Sequence, residues 1–282
     1  MHPAPFAYRV AHTVEEALEL LRTHEDAKIL SGGQSLVPAL KLRLTSPAML
    51  VDISRIPGLG GISRENGTLH IGATATHRQV EKSPVVKDAV PVLAAIGHQV
   101  ADIQVRHRGT FGGSLVHADP AADWPAGALA ADATLVIAGP HGRREVHATE
   151  FFTGMLTTVV GPDELLVEVR LPANGTPGVY RKHANAASGF AVVGVAATAT
   201  HHDGHIGHVT IGVTGATGTA FRATAAEKAL EGAAISASTL DHAAAVAADG
   251  LDCLSDIHAP AAYRQNLVKV LVRRALGDLL HA

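Results

Sequence analysis

Two short stretches of this chain carry residue types that can bind an anion through the backbone. Residues 31–36 read SGGQSL and residues 109–115 read GTFGGSL, and we call them the first and second glycine segments. Each joins paired glycines to small hydroxylated side chains, so successive N–H groups can approach one ligand and converge on it. Neither segment contains lysine or arginine, so a diphosphate bound there would be held by dipoles rather than by side-chain charge. Taken alone, each segment also fits an ordinary turn, the commoner role of a glycine pair.

Other nucleotide-binding motifs are absent or weak. The chain has no G-x-x-x-x-G-K-[ST] stretch, which excludes a P-loop ATPase. Residues 212–218 read GVTGATG, but this spacing departs from G-x-G-x-x-G and no acidic residue ends a following strand. We therefore interpret them as a turn from a strand to a helix.

Histidines are numerous, 18 in all, yet their pattern favours surface positions over a metal site. The tract HHDGHIGH at 201–208 lies on a predicted hairpin turn. We interpret His117 as a residue that orders the second glycine segment by hydrogen bonding. Ser114, His117 and Asp123 lie too close in sequence for a hydrolase triad, and no G-x-S-x-G elbow is present. The sequence therefore predicts neither catalytic residues nor metal ligands in this chain.

Composition narrows the class of protein. Of the 282 residues, 47% are hydrophobic and 17% are charged, which is enough for a sizeable core. A net charge of −3 gives no electrostatic reason to expect nucleic acid. Cys253 is the single cysteine, so the chain can build neither an internal disulfide nor an iron–sulfur cluster of its own. No signal-like leader and no run of about 18 apolar residues appear, so we expect a cytoplasmic protein without a membrane span.

Helices and strands are readable along most of the chain. Thr13 and Glu16 form a capping box that opens a helix, and Thr76 with Gln79 repeats the pattern. We predict strands at 28–30, 49–54, 68–76 and 164–172, a hairpin at 133–146, and a mainly helical stretch from 76 to about 100. Beyond a linker at 173–178, we predict two or three strands and then helices near 222–232, 236–248 and 260–280. This mixture indicates an α+β fold.

Taken together, these stretches resemble one protein family. The segments KILSGGQSLVPALKLRL, IGATATH, QVRHRGTFGGSLVHADPAADWPA, FFTG and GPDELLVEVRLP, with the tail SDIHAPAAYRQNLVKVLVRRAL, are similar to the FAD-binding medium subunit of molybdenum-containing hydroxylases. This family includes enzymes of the carbon monoxide dehydrogenase and xanthine dehydrogenase type. The resemblance implies a p-cresol methylhydroxylase-type FAD-binding domain of two subdomains at 1–173. A small C-terminal domain of the carbon monoxide dehydrogenase flavoprotein type, an antiparallel sheet plus helices, would follow at 178–282.

The resemblance also implies which residues bind FAD. In the family the two glycine segments bracket the FAD diphosphate. Carried onto this sequence, the binding residues are Ile29, Leu30, Ser31, Gly32, Gly33, Gln34, Ser35, Leu36, Thr110, Phe111, Gly112, Gly113, Ser114, Asp123, Leu166 and Lys182. Phe111 stands where the family more often has a smaller aliphatic residue.

Three of these residues carry distinct expectations. Asp123 would accept hydrogen bonds from ribose or ribityl hydroxyls, because a carboxylate repels a diphosphate. Leu166 would pack on the flavin or the adenosine. Lys182 would lie near the flavin and stabilise the charge gained on reduction, although an exposed strand lysine is the alternative. Asp119, in contrast, is expected to be a turn residue before Pro120.

The function implied is that of an electron-transfer subunit. A large molybdopterin-binding subunit would hydroxylate the substrate, and a small subunit would carry [2Fe-2S] clusters. FAD on this chain would pass the electrons to an external acceptor such as NAD, a quinone or oxygen. The expected assembly is a heterotrimer or a dimer of heterotrimers. Two alternatives stay open: a self-sufficient flavin oxidoreductase of the same FAD-binding superfamily, and a non-catalytic nucleotide-binding module.

Overall fold

The computed structural model describes residues 2–281, and their strands form four sheets. The strands are β1 (Ala7–Val10), β2 (Ala27–Leu30), β3 (Met49–Asp52), β4 (Ile62–Glu65), β5 (Thr68–Gly72), β6 (Thr134–Gly139), β7 (Gly142–His147), β8 (Phe152–Gly154), β9 (Thr157–Thr158), β10 (Leu165–Pro172), β11 (Gly178–Ala184), β12 (Ala191–His202), β13 (His205–Thr214) and β14 (Phe221–Arg222). The helices are α1 (Val14–Thr23), α2 (Leu36–Lys41), α3 (His77–Lys82), α4 (Pro84–Ala89), α5 (Pro91–Gln99), α6 (Ile103–Arg106), α7 (Phe111–His117), α8 (Trp124–Ala130), α9 (Ala148–Phe151), α10 (Thr224–Leu230), α11 (Ala237–Ala248) and α12 (Ala261–Leu280).

A parallel sheet of three strands carries the first glycine segment. Its order is β1-β3-β2, and the central strand β3 is buried at three consecutive apolar positions, 49–51. The crossover helix α1 begins as predicted: Thr13 Oγ1 accepts from the N–H of Glu16 at 3.0 Å. The Glu16 carboxylate in turn accepts from the N–H of His12 at 2.7 Å. The chain leaves β2 directly into the first glycine segment, at the carboxyl edge of this sheet.

An antiparallel sheet of five strands, ordered β4-β5-β10-β6-β7, forms the second layer. One face packs against the parallel sheet, and the other packs against helices around the rings of Phe111 and Trp124. These two rings meet edge-on with centroids 4.9 Å apart. The hairpin predicted at 133–146 is β6 and β7, joined by Pro140 and His141, with Gly142 at a φ of +108°. The antiparallel sheet thus lies between a sheet and a helical layer.

The remainder of the chain forms a second hydrophobic core. Residues 173–177 of the linker predicted at 173–178 contain no helix or strand, whereas Gly178 already begins β11 of the antiparallel sheet β11-β12-β13-β14. Residues 191–199 of β12 are all buried, because two helices, α12 and α8 of the first part, both contact this strand. The three predicted C-terminal helices are α10, α11 and α12. The domain boundaries themselves, 1–173 and 178–282, stay a prediction.

Two predicted turns have a different structure. The second glycine segment is not a loop, because Phe111–His117 forms α7 with Thr110 as its N-cap. Its paired glycines are required by packing: a Cβ on Gly112 would lie 2.7 Å from the carbonyl oxygen of Ala73. The stretch GVTGATG leads into the short strand β14 before α10, rather than directly into a helix. Gly212 in that stretch lies against the backbone of α8, where a side chain would overlap Ala126.

Candidate functional site

The first glycine segment presents unpaired backbone donors. Among residues 2–281, no acceptor takes a hydrogen bond from the N–H groups of Gly32, Gly33, Gln34 or Ser35. Gly33 has a φ of +74°, a conformation that glycine adopts without strain. Gln34 and Ser35 are exposed, whereas Ser31 is half-buried. Four consecutive free donors in an open turn form the kind of concave group of N–H dipoles that binds anions.

The second glycine segment differs from the first, because most of its N–H groups are used inside the protein. The N–H of Phe111 donates to Ala75 at 2.8 Å and that of Gly112 donates to Ala73 at 3.0 Å. The N–H of Gly113 donates to Thr110 Oγ1 at 3.3 Å, as in any N-cap. The segment is therefore tied to the end of β5. Thr110 is the exception within 110–114: its backbone nitrogen lies beside Gly32, and none of residues 2–281 accepts from it.

The two glycine segments touch each other. Ser31 Oγ and Thr110 Oγ1 lie 2.9 Å apart and share a hydrogen bond. A Cβ on Gly32 would overlap the carbonyl oxygen of Arg108 and lie 2.9 Å from the backbone nitrogen of Thr110. Only glycine at position 32 permits this approach. The structure therefore brings together the two segments that the sequence places 79 residues apart.

The donors of this junction suit the diphosphate of FAD. They are neutral N–H and hydroxyl groups, with the side chains of Ser31 and Thr110 meeting beside four free N–H groups. A diphosphate needs several donors at close range and tolerates no carboxylate. The close approach at Gly32 leaves backbone, not side chain, facing the junction. The residues present therefore fit the cofactor that the sequence predicts.

Asp123 and Lys182, predicted separately, form one buried ion pair. Lys182 Nζ lies 2.9 Å from Asp123 Oδ1, and the two side chains are 3% and 6% exposed. The hydroxyl of Tyr180 donates to Asp123 Oδ1 at 2.5 Å, and Lys182 also donates to the carbonyl oxygen of Gln99 at 3.0 Å. Asp123 thus accepts from protein groups on both of its oxygens. The sequence suggests Lys182 as a lone cation near the flavin. Because Lys182 is paired with Asp123, its positive charge produces a weaker electric field than an unpaired cation would.

Burial shifts the pKa of Asp123 and that of its donor Tyr180. It raises the pKa of Asp123, while Lys182 and the hydrogen bond from Tyr180 oppose that shift. The pKa of Tyr180 is raised well above its usual value, first by burial and then by the charge of Asp123. Tyr180 is therefore a phenol at any physiological pH, and its hydroxyl is always a donor.

The segment 118–123 fastens the second glycine segment to the C-terminal sheet. The carbonyl oxygen of Pro120 accepts from the N–H of Gly215 at 2.7 Å, and that of Ala121 accepts from the N–H of Ala191 at 3.1 Å. The hydroxyl of Thr214 donates to Pro120 and Ala122. Asp119 is the expected turn residue, since its carboxylate accepts from the N–H of Ala121 at 2.8 Å.

His117 does not have the ordering role expected of it. It is exposed at the end of α7, and within residues 2–281 its ring makes no hydrogen bond. The carboxylate of Asp123 is bound to Tyr180 and Lys182 rather than to His117. The tract 201–208 spans the β12–β13 hairpin, and the described residues contain no group of three His, Cys, Asp or Glu that could hold a metal ion.

A buried histidine, His77, is hydrogen-bonded to the first residue of the second glycine segment, and the sequence did not predict this contact. His77 Nδ1 accepts from the indole N–H of Trp124 at 2.9 Å, and its backbone N–H donates to Gly109 at 2.9 Å. Burial, and then the charge on Arg106, lower its pKa to about 4. His77 is thus neutral at physiological pH and acts as an acceptor. Its sequence signal is the capping residue Thr76 immediately before it.

A buried carboxylate, Glu81, is surrounded by three cationic side chains and a histidine next to His77. Arg78, Lys82, His98 and Arg106 all lie within 3.4 Å of it. Burial alone would raise the pKa of Glu81, but hydrogen bonds from Lys82, Arg78 and His98 outweigh it and lower the pKa to about 2. The cluster connects α3, α5 and α6, the last helix before the second glycine segment.

The remaining predicted residues line the junction or the core beside it. Ile29 and Leu30 end β2, and Leu36 begins α2; all three are half-buried. Leu166 is buried in β10, in the same apolar cluster as Phe111. A separate cleft of about 410 Å³ lies between α1, residues 57–62 and β10, and none of the predicted FAD-binding residues lines it. Their role in binding FAD stays a prediction.

Two family models match the chain, one after the other. Residues 4–174 match a model described as the FAD binding domain in molybdopterin dehydrogenase. Residues 178–279 match the CO dehydrogenase flavoprotein C-terminal domain. No helix within residues 2–281 has the length and apolar character needed to cross a membrane.

Similar proteins align with the chain over nearly its full length. The 6-hydroxypseudooxynicotine dehydrogenase complex subunit alpha of Paenarthrobacter nicotinovorans is 36% identical, over 100% of this chain and 96% of the relative. A chain of carbon monoxide dehydrogenase from Hydrogenophaga pseudoflava is 39% identical, with a TM-score of 0.96 over 98% of both chains. A chain of quinoline 2-oxidoreductase from Pseudomonas putida 86 is 34% identical, with a TM-score of 0.95 over 100% of this chain and 99% of that one.

Proposed function

The chain belongs to the family of FAD-binding medium subunits of molybdenum hydroxylases, and we propose that it is the electron-transfer flavoprotein of such a complex. Membership confirms the resemblance read from the sequence and the predicted α+β fold. It also makes FAD the cofactor of the chain and places the complex among the oxidoreductases. In the proposal, electrons come from iron–sulfur clusters on a small partner subunit and leave to an external acceptor.

The contact between the two glycine segments is the observation that carries the proposal. The free N–H groups of residues 32–35 would hold the diphosphate, with the hydroxyls of Ser31 and Thr110 at its side. Uncharged donors bind the anion without placing a fixed positive charge beside it. When bound, FAD supplies a ring that can take up and release electrons. The residues of the chain would hold the cofactor in place.

We propose that Asp123 and Lys182 serve the flavin part of the cofactor rather than its diphosphate. They join the segment that follows α7 to strand β11, so they span the two parts of the chain. Lys182 brings a positive charge that Asp123 already balances. We infer that this pair fixes the position of the site walls and gives a modest electrostatic stabilisation of added negative charge.

The partners follow from what the chain lacks. Its one cysteine cannot hold a [2Fe-2S] cluster, which needs several thiolate ligands, so the clusters of the proposal belong to another subunit. We propose a large molybdopterin-binding subunit and a small iron–sulfur subunit, in a heterotrimer or a dimer of heterotrimers. Relatives carry the names of different substrates, among them carbon monoxide and quinoline. We infer that the large subunit, and not this chain, selects the substrate.

Purification of the native complex tests the proposal. The complex is isolated from its own cells through a tag on this chain. Its flavin is quantified by absorption, its molybdenum and iron by elemental analysis, and its subunits by mass spectrometry. The proposal predicts FAD, molybdenum and iron together with two further chains. FAD without metals or partner chains would favour a self-sufficient oxidoreductase instead.

A further inference from the structure

We propose that Tyr180 is a positioning residue of the cofactor site: its hydroxyl holds the Asp123 carboxylate against Lys182, and Gly194 supplies the space that this hydroxyl needs. The inference rests on the proposed function, since it assumes that Asp123 and Lys182 serve bound FAD. Tyr180 lies outside the two glycine segments, and neither the motifs of the sequence nor its resemblance to the family singles it out.

Two donor groups make three contacts with one carboxylate in the interior. The Tyr180 hydroxyl lies 2.5 Å from Asp123 Oδ1, while Lys182 Nζ lies 2.9 Å from the same oxygen and 3.0 Å from Oδ2. Tyr180 and Lys182 are two residues apart on β11, so both side chains leave the strand on the same face. A carboxylate with this many contacts has little freedom to rotate. The orientation of the Asp123 carboxylate is therefore set by β11, a strand that follows residues 173–177 in the chain.

A second set of contacts holds the strand itself. The side-chain amide of Gln99 donates to the carbonyl oxygen of Tyr180 at 3.3 Å, and the carbonyl of Gln99 accepts from Lys182 at 3.0 Å. Gln99 is the last residue of α5. This helix is therefore hydrogen-bonded to β11 at Tyr180 and Lys182, the two residues that contact Asp123. The hydrogen bond from the Tyr180 hydroxyl closes a network of four residues, which are Gln99, Asp123, Tyr180 and Lys182.

The neighbouring strand is adapted to this hydroxyl. Gly194 of β12 is paired with Lys182, and a Cβ at position 194 would overlap the Tyr180 hydroxyl. The residues around it in β12 are alanine and valine, so the glycine interrupts a run of strand-forming side chains. The space above Gly194 is filled by the end of the tyrosine ring. A phenylalanine at 180 would need less of that space and would leave Asp123 Oδ1 with one donor fewer.

The test measures FAD binding by the full-length chain. The dissociation constant and the midpoint potential of bound FAD are compared among wild type, Tyr180→Phe, Gly194→Ala and the double variant. Tyr263→Phe is the matched control, because its ring is 43% exposed and meets only His183 among aromatic neighbours. We expect about tenfold weaker FAD binding for Tyr180→Phe, the effect of one charge-assisted hydrogen bond, together with a shifted potential.

The double variant separates positioning from packing. If Gly194→Ala acts by displacing the hydroxyl, it weakens FAD binding in the wild type but adds little once the hydroxyl is gone. A Tyr180→Phe chain with affinity and potential within about twofold of the control would overturn the inference, as would additive losses in the double variant. A wild-type chain that binds no FAD would instead overturn the proposed function, and the role of Tyr180 with it.

Discussion

Replacing Lys182 by methionine removes the ammonium group that lies 2.9 Å from the buried carboxylate of Asp123. Methionine has nearly the same length, so the packing loss is small and the lost charge dominates. Breaking a buried ion pair by removing one partner typically costs about 3–5 kcal/mol, because the other charge stays buried without compensation. The Tyr180 hydroxyl remains as one donor, which favours the lower end of this range. This is a large part of the roughly 5–15 kcal/mol by which a domain is stable.

The loss should depend on pH in a defined direction. Burial already raises the pKa of Asp123, and loss of Lys182 removes the main influence that opposes the rise. A carboxyl group whose pKa is higher in the folded state stabilises the fold at low pH and loses that contribution as pH rises through the folded pKa. The difference in unfolding free energy between wild type and Lys182→Met should therefore be greater at pH 8 than at pH 5. The slope is limited to about 1.4 kcal/mol per pH unit for one proton.

Urea unfolding of the full chain at both pH values measures the effect. Arg273→Met is the control, since Arg273 and Asp241 form a pair with the carboxylate 67% exposed, where we expect about 1 kcal/mol or less. Adding Asp123→Asn to Lys182→Met should restore part of the stability, because the amide carries no charge to bury. The reasoning is refuted if Lys182→Met costs no more than the control, if its loss is the same at pH 5 and pH 8, or if the double variant is less stable than Lys182→Met.

Three further predictions concern the glycine segments and their support. Gly32→Ala should weaken FAD binding by about tenfold or more, because its methyl group forces the two glycine segments apart. The control Gly218→Ala has open space around it and should bind FAD as wild type does. Equal affinities of the two variants in a fluorescence titration would contradict this prediction. His77→Phe should cost about 1–3 kcal/mol in urea unfolding by leaving the Trp124 N–H without an acceptor. Because the pKa of His77 falls from 6.5 to about 4 on folding, wild type should also lose stability as pH drops through this interval, and the variant should lose less. Glu81→Gln should lower the thermal midpoint by leaving Arg78, Lys82 and Arg106 without their carboxylate, and an unchanged midpoint would show that the cluster contributes nothing.

Local sequence signals predicted most of the helices and strands. The capping residues Thr13 and Thr76 start α1 and α3 as expected, and the β6–β7 hairpin falls at the predicted turn. The sequence favours a turn for the second glycine segment, because glycine pairs are common in turns. It is helical because Thr110 caps it and because Gly112 packs against Ala73, a contact that local propensity does not contain.

The candidate site was predicted in part. Resemblance to a family identified both glycine segments, and the structure brings Ser31 and Thr110 into contact. The partnership of Asp123 with Lys182 and Tyr180 could not be inferred, since it joins residues more than fifty positions apart in the sequence. The backbone partners of α7 were equally hidden, because they depend on where β5 ends. Residue types indicate which groups can donate hydrogen bonds to a ligand. The fold determines which of these groups have no partner inside the protein and can therefore bind that ligand.

The central claim is that this chain binds FAD between its two glycine segments and holds it in a reducible form. An absorption titration of the purified full-length chain with FAD, followed by dithionite under anaerobic conditions, tests the claim most directly. The account predicts one FAD per chain, a visible flavin spectrum perturbed by the protein, and bleaching on reduction while the cofactor stays bound. A chain that retains no FAD, or that binds adenine nucleotides equally well without a reducible chromophore, would contradict it.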